Sequence, residues 1–276
     1  MTWFEYHRPQ SVGEASDLLG QDDAVALAGG TDLLVALRHR AVRPALVVDL
    51  KLVTDIADVI EVEGDRLQIG GRVVMSRLTT NEHLNRHFPA LAQAAAVVGS
   101  VQIRNRATLA GNLCNASPAA DTAPALLAYG ATVIASGSDT TRSIPAEEFF
   151  TGPGTTVLGR GEVVTAVELP IPSTPVGSAF ARVTRRRGVD LASVSLACTL
   201  DSSGRTRFGF GAVGPTPLLA ESTFDELATD DGWSRLLAVT SPISDVRAGA
   251  KYRRAMLHVH SRRAFRAASE ELRAAT

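Results

Sequence analysis

Alternating and short apolar runs, broken by glycine, proline and polar turns, dominate the first 170 positions, while wider helical spacing is confined to short stretches and the C-terminus. Trp3-Phe4 and His7-Arg8-Pro9 read as an opening strand and turn, and Ser11-Val12-Gly13-Glu14 is a capping-box signature for a helix through Leu19. Residues 24–28 read as a short buried strand, Gly29-Gly30 as a tight turn, and 31–38 as a helix. A buried strand over 45–50 follows Pro44 and closes a small α+β unit near residue 57. The next unit opens with a hairpin, 59–63 and 66–70 around Gly64-Asp65, followed by helices over 81–86 and 90–98. A helix over 122–129, a strand over 132–135 and a second edge strand over 163–169 complete it. Pro170-Ile171-Pro172-Ser173-Thr174-Pro175 is a stiff linker. Beyond it the pattern predicts strands over 179–184, 193–200 and 205–213, the last two joined by an Asp201-Ser202-Ser203-Gly204 turn. Helices are predicted over 218–227, 233–239 and 247–268. The domain expectation is therefore 1–57, 58–171 and 177–276.

Two stretches depart from this regular pattern. Residues 104–121, Arg-Asn-Arg-Ala-Thr-Leu-Ala-Gly-Asn-Leu-Cys-Asn-Ala-Ser-Pro-Ala-Ala-Asp, hold too many small and turn-forming residues to read as a strand or helix. Ala110-Gly111 opens the main chain to a ligand, and Thr108, Asn112, Asn115, Ser117 and Asp121 surround it with short hydrogen-bonding groups. The plainer reading is a helix-to-helix connection with Asp121 as an N-cap. The other stretch, strand then Gly29-Gly30 then helix, is the geometry in which main-chain N–H groups bind phosphate, although a plain strand-to-helix turn has the same pattern. Thr31 or Asp32 would cap that helix, with Asp32 expected to turn toward main chain, since its carboxylate would repel a phosphate. Neither stretch is GxGxxG or a Lys-containing phosphate loop, which disfavours a doubly wound dinucleotide fold.

Composition narrows the function classes. The 276 residues are 45% hydrophobic and 21% charged, which is globular, and a formal net charge of −1 gives no general attraction to nucleic acid or an anionic membrane. No apolar run approaches the roughly 20 residues that span a bilayer, and the N-terminus lacks a signal-peptide layout, so a cytoplasmic location is expected. Cys114 and Cys198 are the only cysteines, too few for an iron–sulfur cluster; Cys114 is expected to fill space in its loop and Cys198 to lie in strand core. His39, His83 and His87 sit in helical, exposed settings without partner ligands, so no metal site is expected. Arg185-Arg186-Arg187 and Arg253, Arg254, Arg262, Arg263 and Arg266 form either solvated surface or a face for an acidic partner. Ser117 and Ser195 have no His partner by pattern, and no acid–base or nucleophilic set stands out, as in proteins whose cofactor carries the reaction. From the residues alone the picture is a diphosphate held by two main-chain loops, with Thr108, Asn112 and Asp121 on a ribose or ribityl chain.

Ala28-Gly29-Gly30-Thr31-Asp32-Leu33-Leu34 together with Arg104-Asn105…Thr108-Leu109-Ala110-Gly111-Asn112-Leu113-Cys114-Asn115-Ala116-Ser117-Pro118-Ala119-Ala120-Asp121 closely resembles the FAD-binding medium subunits of molybdenum hydroxylases, the carbon monoxide and xanthine dehydrogenase group. Ile69-Gly70-Gly71, Phe149-Phe150-Thr151-Gly152, Glu168-Leu169-Pro170, Asp190-Leu191-Ala192-Ser193-Val194-Ser195, Gly211-Ala212-Val213 and Asp245-Val246-Arg247 extend the resemblance nearly end to end. It implies an α+β fold: a two-subdomain FAD-binding fold of the vanillyl-alcohol-oxidase/PCMH type plus a C-terminal three-stranded sheet with helices. It implies that Ala28, Gly29, Gly30, Thr31, Asp32 and Leu33 wrap the FAD pyrophosphate, that Thr108, Ala110, Gly111 and Asn112 approach it from the middle unit, and that Asp121 contacts the ribose. Val164 and Arg182 would approach the flavin, Arg182 as a cation for the reduced ring, with Phe180 either over a ring face or in core. Two departures stand out: Ala110 where the family has glycine, tolerable only at negative φ, and Val74 where threonine is common.

The same resemblance implies a relay. A large molybdopterin-binding subunit oxidises substrate, a small subunit passes electrons through [2Fe–2S] clusters, and the flavin hands them to NAD(P)+, a quinone, oxygen or a carrier. The rival readings are a standalone FAD-dependent oxidoreductase on the same scaffold and a binding module that has lost FAD.

Overall fold

The computed structural model describes residues 3–275. Met1, Thr2 and Thr276, at the outer ends of the first and third expected units, lie outside the described residues. Among the described residues three main sheets succeed one another along the chain, each with its own apolar core, and Phe150–Gly152 pairs with Thr155–Thr156 as a small two-stranded hairpin.

The first sheet is parallel: Leu46–Asp49 lies between Glu5–His7 and Ala24–Leu27. All four residues of the central strand are buried, whereas Ala24–Leu27 buries only Leu27, so the strand expected as buried is an edge. Ser11 starts the helix Val12–Leu19 by accepting from the Glu14 N–H at 3.2 Å, and the Glu14 carboxylate reaches back to the Gln10 N–H at 2.8 Å. Val163, from the second sheet, joins Val12, Ala15 and Val48 in this core and pins the first sheet to the second.

The second sheet is antiparallel, in the order Ile60–Glu63, Arg66–Gly70, Val163–Pro170, Thr132–Ser136, Thr141–Pro145. Val163–Pro170, expected at an edge, is the central strand: both its faces carry apolar side chains, which a single-sided edge strand does not need. The helix Thr122–Tyr129 packs over this strand and is buried at all eight positions, because the third sheet covers its other side. A Cβ on Gly209 of that sheet would fall inside the Pro124 carbonyl, so glycine lets the helix rest on bare strand. Gly130 stops the helix in a left-handed conformation (φ 68°), and the Thr199 hydroxyl donates to the Ala128 carbonyl at 3.2 Å across the interface. Thr199→Val leaves that buried carbonyl unpaired and is expected to cost about 1 kcal/mol by urea denaturation.

The third sheet is a four-stranded meander, Val176–Val183, Val194–Asp201, Arg205–Gly211 and Leu218–Thr223, rather than three-stranded. Leu218–Thr223, expected to begin a helix, is held as a strand by pairing: Glu221 stands opposite Arg207 and binds Arg205 and Arg207 at 2.8 and 2.9 Å. Pairing across strands thus overrides a composition that suits either state. Val194–Asp201 is buried through Leu200, Cys198 included, because Ala250–Ala275 covers the far face. That helix begins and ends later than the apolar spacing suggests, and its 26 residues span about 39 Å. Gly177 admits its Ala268 carbonyl, and the Glu271 carboxylate accepts from the Ser178 N–H at 2.6 Å. Among the described residues no helix is long and apolar enough to cross a membrane, and no group of three or more His, Cys, Asp or Glu could hold a metal.

Candidate cofactor site

The two side-chain-poor stretches meet. A Cβ built on Gly29 would lie 2.7 Å from the Arg106 carbonyl carbon and 3.0 Å from Ala107 Cα, so only a glycine permits this main-chain contact. Ala28 approaches Gly111 from the same side, and Asn115 Nδ2 reaches Asp32 Oδ1 at 3.5 Å. Strand-like pairing fixes the second stretch from below: Met75 N–H donates to the Ala107 carbonyl at 2.8 Å and Leu109 N–H to the Val73 carbonyl at 3.2 Å, placing Val74 beside Thr108.

Part of the second stretch is helical after all. The Thr108 hydroxyl accepts from the Gly111 N–H at 3.0 Å and starts a helix over Leu109–Cys114, which packs across the strand carrying Val164. This capping was not legible from the density of small residues. Ala110 lies inside that helix, buried and at negative φ, which is the condition under which its methyl is tolerated. Cys114 ends the helix exposed instead of filling space.

Main-chain donors converge where the stretches meet. Among the described residues, the N–H groups of Gly29, Gly30, Thr31, Asp32 and Leu33 have no acceptor, nor do those of Thr108 and Ala110. Gly30 adopts φ 77°, which turns this run of donors outward from the strand end. Asp32 stands at the N-cap of Leu33–Arg38 without a capping bond; instead of turning to main chain its carboxylate accepts from Thr31 Oγ1 at 3.4 Å and from Asn115. Side-chain amide and hydroxyl partners nearby satisfy it without using the donors.

A second focus lies at the other end of the stretch. Asn112 Oδ1 accepts from Thr122 Oγ1 at 2.6 Å, and Asp121, next to Thr122, pairs with Arg182 at 2.8 Å. Asp121 stands at an N-cap position, yet its carboxylate makes no capping bond. Burial pushes its pKa up to about 6, against the pull of the Arg182 guanidinium, and Oδ1 is buried without a partner among the described residues. Thr122, which orients Asn112, carries no pattern that marked it beforehand. Val164 is buried in the core, its carbonyl against Gly71, and Phe180 is half-buried against the same core. Of the expected residues, all but Val164 are thus joined by direct contacts or neighbouring positions.

Residues 2–172 match the model of the FAD-binding domain in molybdopterin dehydrogenase, and residues 179–268 that of the carbon monoxide dehydrogenase flavoprotein C-terminal domain. The chain belongs to the FAD-binding medium subunits of the molybdenum hydroxylase family. It is 32% identical over 279 residues to the carbon monoxide dehydrogenase medium chain of Hydrogenophaga pseudoflava, covering 96% of each chain. Over 219 residues it is 34% identical to the xanthine dehydrogenase FAD-binding subunit of Escherichia coli O157:H7, covering 77% of this chain and 75% of that one. The fold superposes on a chain of the H. pseudoflava carbon monoxide dehydrogenase with a TM-score of 0.91 at 31% identity, covering 98% of both. A chain of quinoline 2-oxidoreductase from Pseudomonas putida 86 gives 0.87 at 29% identity, again with 98% of both covered.

As a medium subunit the protein is an oxidoreductase subunit with FAD as its cofactor. The residues present fit that group. The unpaired main-chain donors suit a diphosphate, the Gly29 contact brings the two stretches together, and the unpartnered Asp121 oxygen suits a hydroxyl.

Proposed function

We propose that this subunit is the flavin relay of a heteromeric molybdenum hydroxylase. It would take electrons from the [2Fe–2S] clusters of a small partner, downstream of a large molybdopterin-binding partner. It would deliver them to an external acceptor (NAD(P)+, a quinone, oxygen or a carrier protein) in the cytoplasm. The observation that carries this reading is the contact of Gly29 with Arg106–Ala107, which brings unpaired main-chain donors from two sheets' connections close together.

In this reading Ala28, Gly29, Gly30, Thr31, Asp32 and Leu33 hold one side of the FAD pyrophosphate, and Thr108, Ala110, Gly111 and Asn112 the other. Asp121 accepts from a ribose hydroxyl, while Val164 and Arg182 border the flavin from the central strand and the third sheet. Units 1–57 and 58–171 supply these donors, and 177–276 supplies Arg182. FAD brings two-electron and one-electron redox chemistry, so the chain need contribute no acid–base residue of its own. Relatives named as medium chains or FAD-binding subunits of dehydrogenases support the partner assignment.

Titration of the purified chain with FAD is expected to quench flavin fluorescence with a dissociation constant in the micromolar range or tighter, about −8 kcal/mol or more. The loaded chain is expected to be inert toward candidate substrates until molybdenum and iron–sulfur partners are added. Substrate turnover by the lone loaded chain would replace the relay with a standalone flavoenzyme. Absence of quenching in excess FAD would replace it with a binding module.

A further inference from the structure

Asp121 is gripped from a different sheet. Its side chain is 9% exposed, Oδ2 accepts from Arg182 Nη1 at 2.8 Å, and Oδ1 has no partner among the described residues. Arg182 is itself anchored: Nη1 also donates to the Val97 carbonyl at 3.0 Å, and Nη2 to the Asp190 and Gly188 carbonyls at 3.3 and 3.5 Å. Four acceptors on three segments leave the guanidinium one orientation, so it fixes the carboxylate rather than following it. Arg182 stands in register with Ser195 and Gly211 on the adjoining strands, and Ser195 Oγ is fully buried and likewise unpartnered.

We propose that Arg182 is a positioning residue for the cofactor: it clamps one oxygen of Asp121 and presents the other as the acceptor for a hydroxyl of FAD. This rests on the FAD assignment above and adds that retention of the dinucleotide depends on a side chain of the C-terminal sheet. The ionised carboxylate is the better acceptor, and burial works against it. Among the described residues, Arg182 is the cation that opposes that burial. The nearby Arg104 is occupied by the carbonyls of Val98 and Gly99, Arg185 and Asp190 bind each other, and helix Thr122–Tyr129 has no charged side chain.

The test combines two readouts on the full chain: a 13C carboxyl titration of Asp121 without flavin, and FAD affinity by fluorescence quenching from pH 5 to pH 8. With a midpoint near 6, the ionised fraction falls about tenfold between pH 7 and pH 5, and FAD affinity is expected to fall about tenfold with it. Arg182→Gln is expected to raise the carboxyl midpoint and to weaken FAD at least tenfold at pH 7, with a smaller loss at pH 8. Arg182→Lys is expected to restore much of both. Asp121→Asn, which keeps the shape, is expected to bind weakly and without pH dependence over this range. A uniform loss at every pH in Arg182→Gln, an unmoved midpoint, or a wild-type pH profile in Asp121→Asn would overturn the proposal. Failure of the wild-type chain to bind FAD would instead overturn the relay reading, and the carboxyl midpoints would still decide whether Arg182 governs Asp121.

Discussion

Gly29→Ala is expected to weaken FAD binding by about 100-fold or more, roughly 2.7 kcal/mol, while leaving most of the fold intact. The added methyl would penetrate the Arg106 carbonyl and press on Ala107 Cα, both main-chain atoms that cannot rotate away. Relief requires the two turns to part, which separates the donors of 29–33 from those of Thr108 and Ala110. Flavin content after gel filtration and a fluorescence titration measure the loss. Gly13→Ala serves as the comparison: nothing lies within 4 Å of its Cβ and it sits in the helix Val12–Leu19, so it is expected to bind FAD normally and to be slightly stabilised. A Gly29→Ala chain with full flavin occupancy would mean that the meeting of the two turns does not form the pyrophosphate site. Ala110 makes the complementary point. There a methyl replaces the family's glycine on a helical residue and is accommodated.

Local chemistry made much of this legible beforehand. Ser11 and Glu14, Gly30 at φ 77°, Gly64 at φ 61° and Gly204 at φ 85° each act within a few residues of themselves, and the structure has them where their patterns place them. The misread strands share one cause, which is pairing between segments. Leu218–Thr223 is a strand because Arg205 and Arg207 hold Glu221, and Val163–Pro170 is central because strands on both sides need it. The site divides in the same way. That residues 29–33 and 108–112 could hold phosphate was readable from turn chemistry. That the two stretches meet, Gly29 against Arg106 and Ala107 and Asp32 against Asn115, goes with Val73–Met75 pairing with Ala107–Leu109, 32 or more positions away, and no periodicity announces it. Asp121 and Arg182, 61 positions apart, are a pair only through the packing of the third sheet on helix Thr122–Tyr129.

Arg253 shows how far such a distant role can reach. Grouped by sequence with the arginines of a surface or partner-facing helix, it is 3% exposed, so neither reading of that group applies to it. Its Nη1 donates to the Ser193 and Ala212 carbonyls at 2.7 and 2.9 Å, and Nη2 to Asp245 at 2.7 Å. Ala212, at φ 62°, in turn donates its N–H to the Pro118 carbonyl at 2.7 Å, so the guanidinium braces the end of the cofactor stretch from behind. Arg253→Met strands two carbonyls and takes one partner from Asp245, which keeps the Arg247 and Ala248 N–H groups, and is expected to cost about 2–4 kcal/mol of stability at pH 7. It is also expected to weaken FAD through the loosened Pro118 contact. The penalty has a predictable pH dependence. Although burial opposes ionisation of Asp245, the N–H groups of Arg247 and Ala248 and the Arg253 guanidinium hold its pKa at about 2, below the ordinary 3.8. A depressed carboxylate pKa adds stability above the unfolded value and loses it as pH falls through the folded one. The gap between wild type and Arg253→Met in urea denaturation should therefore be widest above pH 4 and narrow from pH 4 toward pH 2. A gap that stays constant down to pH 2 would assign the whole penalty to the two carbonyls and none to Asp245.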